Sequence, residues 1–152
     1  MHMARELAGI TTRELWARLF QAPSLDRFLA ENADACDMPS FGDYLLSLCE
    51  ARGMKPDQVA SSAGIERSFG YRLFSGTRNP SRDTVLQLAF GFGLSVEEAQ
   101  QLLKVAHVSA LHPKVKRDAV IAYCLNDHRS FMDAQTALYE CGLPLMGGKK
   151  NA

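Results

Sequence analysis

From Thr11 to Phe20 the apolar residues Leu15, Trp16, Leu19 and Phe20 recur at helical spacing, and Thr11 with Glu14 forms a capping-box pair at the head of the stripe. The pattern predicts a helix over 11–20. Pro23-Ser24 interrupts it, Leu25, Phe28 and Leu29 mark a short second helix, and the acidic, unpatterned stretch 32–39 reads as a linker. Ser40 with Asp43 opens a further helix, whose Phe41, Tyr44, Leu45, Leu48 and Cys49 recur in helical steps until Gly53 stops it. Shorter helices follow at 56–63, 66–75, 81–91 and 95–107, punctuated by Gly64, Gly76, Asn79-Pro80 and Gly93. Alternation with period two is nowhere sustained, so the expected class is all-α.

The chain also matches itself at an offset of 35 residues. Arg82-Asp83 aligns with Arg117-Asp118, Val85 with Val120, Ser95 with Ser130, Ala99-Gln100 with Ala134-Gln135, and Leu103 with Leu138. Two readings fit: a duplicated helix–turn–helix unit with Ser95 and Ser130 as caps, or two unrelated amphipathic hairpins of similar length. Both predict that 113–142 packs as a helical hairpin extending the core. The tail 147–152 has nothing to bury and is expected to be loose.

Composition narrows the class without naming a function. Apolar residues make up 47% and charged residues 22% of 152, ordinary values for a chain that folds around one core with helical additions. The four cysteines, at 36, 49, 124 and 141, match neither a zinc-ligand spacing nor a short disulfide framework and read as reduced, mostly buried thiols. No apolar run of signal-peptide or membrane-spanning length is present, so a cytoplasmic location without membrane contact is expected. Seventeen basic residues balance seventeen acidic ones, so any attraction to nucleic acid must come from local arrangement. Arg67, Arg72, Arg78 and Arg82 supply one, a run of four cations with no acid between them.

The segment from Met54 to Ser81 describes two short helices meeting at a tight turn. Ala60 is small where the helices would cross, Gly64 can take the positive φ of the turn, and Val59, Ile65 and Leu73 supply apolar contacts beneath. Such a unit holds its second helix proud of the surface, where it can enter a major groove about 12 Å wide.

These residues resemble the Xre/Cro family of helix-turn-helix proteins. The resemblance runs without gaps from about Met54 to Ala89, and the loop Ser75-Gly76-Thr77-Arg78-Asn79-Pro80-Ser81 looks like the family's Gly-Lys-Arg-Asn-Pro-Ser loop. With the helix from Phe41 and the opening Leu94-Ser95-Val96-Glu97-Glu98 it covers roughly 41–103. It implies a lambda-repressor-like helix-turn-helix domain at 40–110, preceded by an N-terminal helical extension and linker at 1–39 and followed by a C-terminal hairpin at 111–146 on the same core. It further implies sequence-specific binding of double-stranded DNA by a homodimeric bacterial or phage transcriptional regulator, a repressor in the family's usual manner.

Outward positions of the second helix are Arg67, Ser68, Tyr71 and Arg72. Arginine can read guanine bidentately, serine can serve base or phosphate, and tyrosine can reach a phosphate oxygen. By the resemblance, Arg78 and Asn79 grip the DNA backbone. Three positions depart from the family pattern: Pro56 stands where Gln is frequent, Glu66 replaces a small polar cap, and Gly70 replaces a β-branched residue. Helix propensity alone predicts that Gly70→Ala is neutral or stabilising. Glu66, Pro56, zero net charge and the Phe69-Gly70-Tyr71 patch also fit an alternative, the same fold serving as a protein-interaction module without DNA binding. Histidines and cysteines form no ligand constellation, and no catalytic grouping is evident, so the expectation is neither an enzyme nor a cofactor-dependent protein. The candidate dimer surfaces are the helices around Trp16 and Phe20 and the hairpin around Tyr139.

Overall fold

Side-chain caps set where the helices begin. Thr11, Ser24, Ser40, Ser81, Ser95 and Ser130 each accept, through the hydroxyl oxygen, the backbone amide three residues on. The computed structural model describes residues 10–36 and 38–148, and these form ten helices and no strand. They are α1 (Thr12–Gln21), α2 (Leu25–Glu31), α3 (Ala33–Cys36), α4 (Phe41–Arg52), α5 (Pro56–Ser62), α6 (Arg67–Ser75), α7 (Arg82–Phe92), α8 (Val96–Val105), α9 (Lys116–Asn126) and α10 (Phe131–Glu140). The fold is all-α, with α5 and α6 as the helix-turn-helix.

The stretch read as a linker is partly ordered. It holds α3, and Asn32 before it is buried, accepting from Arg18 Nη1 at 2.9 Å and donating to Phe28 O at 2.9 Å. Helix α1 buries no residue of its own, and Trp16 and Phe20, stacked at 5.4 Å, stand 55% and 76% exposed.

Close backbone approach shapes the helix-turn-helix. A Cβ on Gly42 of α4 would lie 2.7 Å from Phe74 O of α6, and one on Gly91 of α7 would lie 2.6 Å from Val59 O of α5. Gly64 takes φ 69° in the turn, as its position in the sequence suggested. The ring of Phe131, at the start of α10, covers that turn so closely that a side chain on Gly64 would collide with it. Leu45, Val59, Leu73, Val85 and Leu86 share one continuous core with Ile121, Leu125, Phe131, Ala134 and Leu138 of the C-terminal hairpin.

The 35-residue offset is a structural repeat, and its two copies close on each other. Arg82 makes a bidentate pair with Asp118, Nη1 to Oδ1 at 3.1 Å and Nη2 to Oδ2 at 2.9 Å, and Arg117 does the same with Asp83 at 2.9 and 3.1 Å. Each guanidinium also donates to two carbonyls: Arg82 to Ser109 and Ala110, Arg117 to Pro144 and Leu145. Each aspartate takes one amide, Asp118 from His112 and Asp83 from Gly147. Gln100 clamps the backbone of Leu111 by donating to its carbonyl and accepting its amide, and Gln135 clamps Met146 the same way. Every one of these pairs is related by the same offset. Hairpins α7–α8 and α9–α10 are therefore related by a pseudo-two-fold axis, across which Arg and Asp are exchanged.

The start of the supposed loose tail is held. Met146 is buried, and the Gly147 amide donates to Asp83 Oδ2 at 3.0 Å, so this segment of the second copy completes the aspartate of the first. The remainder of that tail, 149–152, lies outside the described residues. Cys49 and Cys124 are buried and Cys141 is exposed; burial pushes the Cys49 and Cys124 thiols up from their ordinary value.

Candidate nucleic-acid interface

Helix α6 is positioned by what it buries. Gly70, Leu73 and Phe74 face the core, leaving Arg67, Ser68, Tyr71, Arg72 and Ser75 outward. Gly70 lies where α5 and α6 cross, and a Cβ would sit 3.0 Å from Ala60 Cβ. The propensity expectation for Gly70→Ala therefore meets an opposing contact, and whether Ala60 can give by a few tenths of an ångström decides the sign. The methyl's gain of about 1 kcal/mol in helix propensity stands against overpacking of about 1–3 kcal/mol. Urea titration should show a lower midpoint; a raised midpoint would mean that α5 yields.

Glu66 caps α6 itself. Its carboxylate accepts from Ser68 N at 3.0 Å, Phe69 N at 3.1 Å and Ser68 Oγ at 3.0 Å. The Ser68 and Phe69 amides, then the Ser68 hydroxyl and the Arg72 charge, hold its carboxyl below the usual glutamate range. With the folded-state pKa depressed, the cap's contribution is present above the ordinary carboxylate pKa and is lost as pH falls through the lowered value. The acid thus occupies the helix N-terminus where a phosphate could otherwise bind.

The six sequence-assigned residues divide into two sets. Arg67, 84% exposed at its side chain, pairs with Asp57 of α5 at 3.4 Å, and the Ser68 hydroxyl is engaged with Glu66. Tyr71 is 74% exposed, and Arg72, Arg78 and Asn79 are exposed beside it. Among the described residues neither Arg72 nor Arg78 forms a salt bridge. Their guanidinium carbons lie 6.0 and 5.4 Å from the centroid of the half-buried Phe69 ring. Helical spacing gave no sign of this role of Phe69, in which one ring orients the cation of α6 and the cation of the following loop. Arg82, the fourth member of the cationic run, is removed from this surface by its bond to Asp118.

Among the described residues no group of three or more His, Cys, Asp or Glu could hold a metal ion, and no helix is long and apolar enough to cross a membrane. Residues 40–102 match the family model of a helix-turn-helix domain. No curated protein and no solved structure matches the chain significantly.

Proposed function

We propose that the chain is a sequence-specific DNA-binding protein of the Xre/Cro kind, a bacterial or phage transcriptional regulator that lays α6 in the major groove. The observation that carries this reading is the uncovered face formed by Tyr71, Arg72, Arg78 and Asn79, with two cations oriented by one ring and neither in a salt bridge among the described residues. Arg72 reaches a base edge and Tyr71 a phosphate oxygen, while Arg78 and Asn79 hold phosphates and fix the register. With no net charge on the chain, affinity depends on these few contacts.

Selection from a randomised duplex library, followed by anisotropy titrations at several salt concentrations, tests the reading. Arg72→Ala should narrow the difference between selected and scrambled duplexes. Arg78→Ala should weaken both about tenfold and reduce the salt slope by about one contact. Enrichment of no sequence, with both variants binding like the parent, would refute it. The alternative is a protein-interaction module. It is favoured by the Glu66 cap and the Arg67–Asp57 pair, which take an anion site and a cation out of the same surface.

A further inference from the structure

The face of α7–α8 is self-complementary. Arg82 and Asp83 are neighbours on α7, and each meets the opposite member of Arg117-Asp118 across the pseudo-two-fold axis. This is the isologous pattern, in which residue i meets j and j meets i, that ordinarily joins two copies of one chain. Between two chains it would carry two α6 helices around one axis, since α4–α6 precede α7. Within this chain the axis is already occupied: what precedes α9 is the short connector 106–115, which carries no helix-turn-helix.

We infer that the chain engages DNA as a single reading unit on an asymmetric half-site, with α9–α10 standing where a second copy would dock. The inference rests on the DNA-binding reading above and replaces the expected homodimer on a two-fold operator. The site should be short. The nine residues of α6, at about 1.5 Å each, run roughly 13 Å, or about four base-pair steps at ~3.4 Å. The exposed Trp16–Phe20 stack on α1 lies outside the repeat and, with the hairpin surface around Tyr139, is where copies would pair were the inference wrong.

The test uses the full chain. A randomised duplex library is selected, and the complex on the enriched duplex is weighed by light scattering coupled to size exclusion. The expected result is a motif without an inverted repeat and a complex of one chain per duplex at micromolar concentration. A Trp16→Ser/Phe20→Ser variant should bind that duplex within about twofold of the parent. An inverted repeat with half-sites about ten base pairs apart, bound by two chains, overturns the inference and leaves the DNA reading standing. The same holds if the double variant loses more than about tenfold in affinity while its circular dichroism is unchanged. Absence of any enriched motif overturns the DNA reading and the inference with it.

Discussion

Asp118→Ala should lower folding stability by about 3 kcal/mol, the larger of the two aspartate losses in the repeat. The Asp118 side chain is only 5% exposed; it takes both terminal nitrogens of Arg82 and the amide of His112. Removing it leaves a partly buried guanidinium and a backbone donor without their acceptor, and the cost of an unpaired buried charge exceeds the worth of the pair itself. For a chain of this length the melting temperature should fall by roughly 6–12 °C. Asp83→Ala should cost less, because its pair with Arg117 is more exposed, at 29% for the acid against 5%. A double-mutant cycle with Arg82→Ala gives the check: the pair should be strongly non-additive, since the second removal takes away the charge that the first strands. A loss for Asp118→Ala below about 1 kcal/mol, or simple additivity, would show that water replaces the bond.

Gly91→Ala should cost about 3 kcal/mol, although the residue lies in a helix where alanine is normally favoured by about 1 kcal/mol. The added methyl would lie 2.6 Å from Val59 O and 2.9 Å from Ala63 Cβ, so α5 must move away from α7. Moving α5 also disturbs the bond from Gln87 Nε2 to Ala63 O at 3.0 Å, which ends that helix. The repeat contains its own control. Asn126 stands at the equivalent place in α9 and is exposed, with no α5 upon it, so Asn126→Ala should leave the unfolding midpoint close to the parent's. Chemical denaturation of the two variants side by side measures the difference, and equal midpoints would rule out the crossing as the reason for glycine.

The helices were legible because their ends are written in local chemistry. Serine or threonine caps with a partner three residues on, and glycines at 53, 64, 76 and 93, place the boundaries they mark within a residue or two, whereas α3 fell in the stretch read as a linker. The repeat was visible as identities, but who pairs with whom was not. An offset of 35 says that Arg82 and Arg117 are equivalent, whereas the fold decides that each bonds the other copy's aspartate. The site was half legible for the same reason. Exposure of Tyr71, Arg72, Arg78 and Asn79 follows from helical spacing and the loop, while the Asp57 that engages Arg67 lies on another helix ten residues away. For Gly70 the sequence showed only propensity, a property of one helix, while the contact with Ala60 belongs to two. Gly147 and Asn32 looked idle because their partners, Asp83 and Arg18, are remote in sequence.

The exchange of Arg and Asp across the repeat also sets a contest between folding within a molecule and folding between molecules. During synthesis α7–α8 is complete before α9–α10 exists, and its face would accept the same hairpin from a neighbouring chain with identical bonds, the condition for swapping. The connector 106–115 decides the outcome. So short a tether keeps α9–α10 at an effective concentration on the order of millimolar near its own site. A neighbour at micromolar concentration is then outcompeted by several hundredfold or more, and shortening the connector until it cannot span from α8 to α9, not weakening the bonds, is what would bring swapped pairs within reach.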